Sequence, residues 1–185
     1  EPDRAVLRPA PIAGRELAGD MIAATHAGVD VAASAARAVD AAVLSSVQGR
    51  WWFAHDKVRD ALVEAMPDDE RRRLHGEIAE ALLRLAPDDA ATLAHHFRAA
   101  GDRRREGEHA ARAGDQFLRS GAYRDAIPHL ERAIELLGAS GGSPRARARL
   151  ERQLGESLFR CGKLPEAKRA LASALVALGR PLPES

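Results

Sequence analysis

An internal repeat constrains this sequence more than any other feature. Two segments whose first glycines lie 41 positions apart, at Gly114 and Gly155, contain the same alternation of small and large residues. The matching positions are Gly114, Phe117, Gly121, Tyr123, Ala126, Leu130 and Ala133 in the first segment and Gly155, Leu158, Gly162, Leu164, Ala167, Leu171 and Ala174 in the second. A repeat of this length predicts stacked helical hairpins, in which small residues mark close helix crossings and large ones fill the space beside them.

This order of small and large residues resembles the tetratricopeptide repeat, whose usual period is about 34 residues. We attribute the longer offset here to an inserted loop at 139–143. The resemblance implies that the first helix of each hairpin lines a concave groove that binds a partner. In that register the groove-lining residues are Arg149, Arg152, Glu156, Phe159 and Arg160 in the second hairpin and Glu108, Ala111, Asp115, Leu118 and Arg119 in the first.

The groove-lining set of the second hairpin predicts the chemistry of a partner. It contains three arginines and one aromatic residue, Phe159. Because the arginine side chain presents a fork of donors that matches a carboxylate, an acidic segment of a partner or of another domain is the expected ligand. An alternative remains open, in which Arg149 and Arg152 only solvate an exposed helix face and pair with Glu151 or Glu156.

Helical spacing of apolar residues extends over most of the chain. It predicts helices over about 15–25, 30–46, 55–66, 70–85, 89–100, 103–120, 123–137, 144–161 and 164–178. The proline-rich residues 1–14 are expected to be largely irregular. Near 47–54, polar residues and a glycine flanked by valine and aromatics predict a short β-hairpin or wing.

Three segments carry a second resemblance, to bacterial STAND-class signalling ATPases. Residues 14–17 read GREL, residues 51–62 read WWFAHDKVRDAL, and residues 71–79 read RRRLHGEIA. In that family a winged-helix domain ends the ATPase module and tetratricopeptide-like helices follow. The resemblance covers roughly residues 12–178. It implies a mainly α fold, with a small winged-helix-like domain over 1–66 and a right-handed α-solenoid of tetratricopeptide-like hairpins over 67–185.

The same resemblance implies one ligand-contacting residue. Phe53-Ala54-His55-Asp56 is similar to the family's Met-His-Asp motif, in which the histidine approaches a phosphate of bound ADP, although no Met precedes His55 here. The alternative is that His55 has no ligand and is simply a polar residue at the start of a helix, with Asp56 as an acidic residue in its first turn. ATP, ADP and magnesium are therefore expected only in a longer parent protein. This chain contains no G-x-x-x-x-G-K-[ST] phosphate loop, so we expect it not to be an enzyme by itself.

Charge and composition exclude several other classes of function. The net charge is +1, and residues 1–64 carry 7 basic and 9 acidic side chains, which disfavours a DNA-binding regulator. No H-E-x-x-H or C-x-x-C pattern indicates a metal site, and no apolar run predicts a membrane span. A single cysteine, Cys161, fits a reducing compartment and hence the cytoplasm.

These observations predict a non-catalytic regulatory and protein-interaction region of a STAND-type ATPase. It would couple the nucleotide state to the binding of a partner or of another domain. The alternative is a plain tetratricopeptide scaffold that binds a protein partner without any nucleotide link. The sequence leaves the partner and the oligomeric state open.

Overall fold

A computed structural model of the chain describes residues 8–13, 16–17, 23, 30–48, 50–139 and 141–181. The described residues are mainly helical with one small sheet, which is consistent with an α-solenoid. The helices are α1 Ala10–Ala13, α2 Val31–Asp40, α3 Asp56–Glu64, α4 Asp68–Leu85, α5 Ala90–Ala100, α6 Arg103–Arg119, α7 Tyr123–Ala139, α8 Pro144–Arg160 and α9 Leu164–Ala177. The strands are β1 Glu16–Leu17, β2 Leu44–Val47 and β3 Arg50–Phe53.

The chain divides into two compact units. The N-terminal unit comprises Glu1–Pro87 with Ala99–Gly101, and the C-terminal unit comprises Asp88–Arg98 with Asp102–Ser185. The sequence predicts a boundary after residue 66, whereas the division falls after Pro87. Helix α4 belongs to the N-terminal unit because α1 packs against it, and Arg8 pairs with Glu70 of α4 at 2.5 Å.

A three-stranded antiparallel sheet organises the N-terminal unit. Its strand order is β1-β3-β2, and β2 and β3 form a hairpin in which Leu44 lies opposite Phe53, where the sequence predicts a hairpin near 47–54. Strand β1 pairs with the other edge of β3, so that Leu17 lies opposite Trp51. The prediction of a helix over 15–25 is therefore wrong at 16–17, and most of its remaining residues lie outside the described part of the chain.

One hydrophobic cluster of this unit lies on one face of the sheet. Leu44 and Phe53 are 1% and 4% exposed and pack with alanines of α2, and Trp51 packs against the same cluster. Trp52 points to the opposite face, since neighbouring residues of a strand alternate, and the Arg50 guanidinium lies 5.9 Å from the centre of its ring. The predicted helix over 30–46 is too long: α2 ends at Asp40, and a left-handed residue, Ala42, leads into β2.

Two of the N-terminal prolines lie in and beside a short helix. Residues 1–14 are predicted to be irregular, but α1 forms over Ala10–Ala13. Pro9 and Pro11 lie at the start of this short helix, where proline is tolerated because the first N–H groups of a helix have no partner within it. Ala10 is fully buried in the same cluster as Phe53, which explains why this segment is ordered into a helix.

The C-terminal unit contains the repeat, and its two halves use the same turn. Helices α6 and α7 form one hairpin and α8 and α9 form the next. Gly121 has a φ of 80° and Gly162 a φ of 77°, a left-handed conformation that ends a helix and favours glycine. The N–H of Ala122 donates to the Phe117 carbonyl at 2.9 Å, and the N–H of Lys163 donates to Leu158 at the same distance.

The two halves also share one close helix crossing. A Cβ added to Gly114 would lie 2.6 Å from Cγ of Leu130, and a Cβ added to Gly155 would lie 2.6 Å from Cγ of Leu171. These pairs are related by the same 41-residue offset as the sequence pattern. The small residues of the pattern in α7 and α9, Ala126, Ala133, Ala167 and Ala174, are buried, so the pattern read from the sequence corresponds to helix contacts in the structure.

Candidate functional site

One face of α8 presents the residues predicted to bind a partner. These residues are Arg149, Arg152, Glu156, Phe159 and Arg160; all are exposed except Glu156, which is half-buried. Their spacing of three, four, three and one places them on one side of a helix with 3.6 residues per turn. The opposite side carries the buried Leu150, Ser157 and Leu158. An exposed Phe, with 57% of its surface accessible, is the unusual member of this face.

The α8 face carries a surplus of positive charge. Helix α8 contains five arginines and two glutamates. Arg152 pairs with Glu156 at 3.2 Å, and the Arg160 guanidinium lies 5.8 Å from the centre of the Tyr123 ring. Among the described residues, Arg149 has no acidic partner within 4 Å. The pairing of Arg152 with Glu156 agrees with the alternative in which these arginines only solvate a helix face and pair with nearby glutamates. Arg149, in contrast, pairs with neither Glu151 nor Glu156.

Helix α6 supplies the neighbouring wall, and its predicted groove residues are mostly paired. Glu108 accepts a bond from Arg104 at 2.7 Å, and Asp115 pairs with Arg119 of the same helix. Asp115 also accepts a hydrogen bond from the Gln153 amide at 2.7 Å, which joins α6 directly to α8. Because the acids of α6 have partners already, they offset little of the positive charge on α8.

A cavity of about 640 Å³ opens between the N-terminal parts of α6 and α8 and the C-terminal part of α7. Its lining is mainly apolar, and includes Ala111, Ala133, Leu136, Leu137, Ala146 and Leu150. Four arginines also line it, namely Arg103, Arg104, Arg112 and Arg149. A volume of this size suits a small ligand or a large side chain of a partner, and the arginines give it an affinity for negative charge.

The structure brings only some of the predicted residues to this cavity. Arg149 of α8 and the α6 residues Glu108 and Ala111 line it. Arg160 lies at the far end of α8, beside a second cavity of about 430 Å³ that Tyr123 also lines. Arg152, Glu156 and Phe159 line neither of these two cavities and lie between Arg149 and Arg160 along α8.

Sequence reasoning missed the basic and apolar residues at the cavity. The three consecutive arginines at 103–105 are typical of a solvated helix face, with contact to a partner as the less favoured alternative, and no sequence pattern distinguishes Leu136 or Leu137. No local signal in the sequence points to these residues, because the cavity depends on how α6, α7 and α8 pack together.

Ionic contacts beside the cavity hold α6 against α7. Glu106 is 3% exposed and accepts two bonds from Arg132, at 2.6 and 3.0 Å. These bonds to Glu106 raise the pKa of Arg132, and the bond from Arg132 lowers the pKa of Glu135. The pairing is bidentate and mostly buried, so we interpret it as part of the helix packing rather than as a ligand site.

Two histidines stack on phenylalanines of the preceding helix, one between α5 and α6 and one between α6 and α7. The rings of Phe97 and His109 lie 5.3 Å apart, and those of Phe117 and His129 lie at the same distance. Burial lowers the pKa of both histidines. Within the described residues no group of three His, Cys, Asp or Glu side chains is placed to hold a metal ion.

His55 occupies the end of β3 and the start of α3. It is exposed, its backbone is extended with a φ of −140°, and its side chain makes no capping bond to α3. Asp56 is the first residue of α3, and in the next turn Arg59 pairs with Asp60 at 2.8 Å. The imidazole is therefore accessible to a ligand or to another domain from the solvent side of this loop.

None of the described helices is long and apolar enough to span a membrane. Comparison of the chain with protein-family models, with curated proteins and with solved structures finds no match.

Proposed function

We propose that the chain is a protein-interaction and regulatory region whose C-terminal unit is a tetratricopeptide-like solenoid that binds an acidic segment. The single observation that supports this most directly is the α8 face. It presents Arg149, Arg152 and Arg160 to solvent together with an exposed Phe159. An exposed aromatic residue among arginines is typical of the residues that dominate protein interfaces.

The repeat geometry supports the tetratricopeptide-like part of the proposal. Two hairpins have the same left-handed glycine turn and the same glycine-leucine crossing at a 41-residue offset. In such an arrangement the first helices of successive hairpins lie side by side, and the Gln153–Asp115 hydrogen bond joins α6 to α8 in this way. The surface that they share is the proposed binding groove.

We further propose that the N-terminal unit is a winged-helix-like domain of a STAND-type ATPase, and that His55 contacts ADP in the longer protein. A small antiparallel sheet followed at once by an exposed histidine supports this part. The chain lacks a phosphate loop, so nucleotide and magnesium would be held by other parts of that protein. The alternative is a plain scaffold without a nucleotide link, which the C-terminal unit supports equally well.

Charge reversal on α8 tests the proposed binding of an acidic segment. The probe is a fluorescein-labelled synthetic peptide of glutamate and aspartate, and its binding is measured by fluorescence anisotropy at several salt concentrations. The triple variant Arg149→Glu, Arg152→Glu, Arg160→Glu should weaken binding about tenfold or more, because three attractive contacts become repulsive. The dependence of binding on salt should fall at the same time.

A matched control is available on another surface of the same unit. Lys168 and Arg169 of α9 and Arg180 beyond it are exposed. Changing all three to Glu alters the net charge by the same amount but leaves α8 untouched. Equal weakening by both triple variants would mean that net charge alone attracts the peptide, and an unchanged affinity in the α8 variant would reject the proposed groove.

A further inference from the structure

The cavity at the N-terminal end of α8 has features that the α8 face alone does not explain. Its floor is formed by Leu136 and Leu150, which are 4% and 3% exposed, and by the half-buried Leu137. Ala111 of α6 and Ala146 of α8 also line the cavity and are half-buried, so small side chains from both helices border it. An acidic side chain alone would leave this apolar floor uncovered.

Small residues keep the cavity open on the α6 side. A Cβ added to Gly107 would lie 3.2 Å from Cβ of Leu136, so a larger residue there would press on the floor. Farther along the two helices, the Gln153–Asp115 hydrogen bond closes the space between α6 and α8. The cavity is thus confined to the end of the groove where α6 and α8 begin.

The charges at the rim are only partly neutralised. Arg104 pairs with Glu108 at 2.7 Å, and Arg112 with Asp88 at 3.5 Å. Arg103 and Arg149 have no acidic partner within 4 Å among the described residues. The first turns of α6 and α8 both lie at this end, and the positive ends of their helix dipoles add to the attraction for an anion.

Resting on the proposed function, we infer that this cavity binds one bulky apolar side chain of the acidic segment, whose neighbouring carboxylates pair with Arg103 and Arg149. The apolar floor and the two arginines, neither of which has an acidic partner within 4 Å among the described residues, are complementary to these two features of one segment. Arg103 also interacts electrostatically with Glu135 at longer range. A peptide fits better than a compact small molecule, because the basic face continues from Arg149 to Arg160. Eleven residues of helix extend this face by about 16 Å beyond the cavity.

The experiment compares two synthetic peptides on the full chain. Both contain six acidic residues around one central position, which is phenylalanine in one peptide and alanine in the other. The phenylalanine peptide should bind about tenfold more tightly, since burying such a side chain removes a large apolar surface from water. Filling the cavity by Ala111→Leu or Ala146→Leu should abolish this preference and leave the salt-dependent binding of the alanine peptide in place.

The controls separate this inference from the proposed function. Ala172→Leu adds the same side chain to a half-buried alanine of α9 outside the cavity, and should preserve the preference. A photoreactive benzoylphenylalanine at the central position, used with the unmodified chain, should crosslink to Leu136, Leu137 or Leu150. This measurement does not depend on whether a cavity-filling variant folds.

The outcomes distinguish a failure of the cavity inference from a failure of the proposed binding of an acidic segment. Equal binding of both peptides, or a preference that survives in both cavity-filling variants, overturns the inference and leaves the acidic groove standing. Crosslinking only to residues outside the cavity also overturns the inference. Failure of both peptides to bind rejects the proposed function together with the inference, as does binding of a free amphipathic carboxylate such as decanoate without binding of either peptide.

Discussion

The glycines at the two helix crossings provide a sharp test of the repeat geometry, because they differ in one respect. Gly114→Ala and Gly155→Ala each place a methyl group 2.6 Å from a leucine Cγ. Leu130, which meets Gly114, is fully buried, whereas Leu171, which meets Gly155, is 41% exposed. The same substitution at equivalent positions therefore meets a confined side chain in one hairpin and a side chain free to turn outward in the other.

The expected free energies follow from two opposing effects. Alanine is favoured over glycine inside a helix by about 1 kcal/mol. Forcing an extra methyl group into a packed core costs about 1–3 kcal/mol. For Gly114→Ala the second effect should dominate and lower the free energy of unfolding by about 1 kcal/mol or more. For Gly155→Ala, Leu171 can rotate away, so the free energy of unfolding should either stay the same or rise by up to about 1 kcal/mol.

Urea unfolding followed by two signals measures this difference. Both tryptophans, Trp51 and Trp52, belong to the N-terminal unit, so their fluorescence reports on that unit, while far-UV circular dichroism also reports on α5–α9. The circular dichroism midpoints of the two variants should differ by roughly 0.5–1 M urea. Gly76→Ala is the control for helix propensity, since the nearest atom to its added Cβ is 3.9 Å away. Gly76→Ala should raise the urea concentration at the midpoint of the fluorescence transition, because alanine favours the helix.

Two results would refute this reasoning. If Gly114→Ala is as stable as the unmodified chain, Leu130 is not confined as the structure has it. If both variants lose the same stability, the exposure of Leu171 gives it no freedom to move, and the difference between the two hairpins is not a matter of packing.

Two further predictions concern histidines. Because burial lowers the pKa of His109 and His129, the unfolded chain takes up protons before the folded one as pH falls below about 6.5. The free energy of unfolding should therefore decrease from pH 7.5 to 5.5, and His109→Gln should reduce that decrease in urea titrations; a pH-independent midpoint would contradict it. In the longer protein, His55→Ala should loosen ADP retention and raise basal signalling activity, and unchanged retention of labelled ADP would reject the proposed nucleotide contact.

The helices of the repeat could be predicted closely because their ends are marked locally. Gly121 and Gly162 end helices through their own left-handed backbone, and Ser143 begins α8 by accepting the N–H of Ala146 at 3.2 Å. The sequence prediction of 144–161 for this helix differs from the observed α8 by one residue. Such signals involve residues within one turn of each other, so no knowledge of the fold is required.

The sheet and the cavity depend on contacts between distant residues, and local patterns do not specify them. Strand β1 exists because Glu16 and Leu17 pair with residues more than thirty positions away. Helix α4 belongs to the N-terminal unit through contacts with α1, which no periodicity of α4 reveals. The arginines at 103 and 149 were visible in the sequence, but their meeting at one apolar cavity depends on the path of the connection between α7 and α8.

The single hydrogen bond from Gln153 to Asp115 has a mechanical consequence. In a stack where each hairpin touches only its neighbours, curvature depends on the small rotation from one hairpin to the next. This bond lies beyond the cavity along both helices, and if it persists when a ligand binds, it would serve as a pivot between α6 and α8. A side chain that widens the space at the N-terminal ends of the two helices would rotate the second hairpin about this pivot. Binding would thereby be converted into a change in the pitch of the stack, which more distant parts of the array would sense as bending.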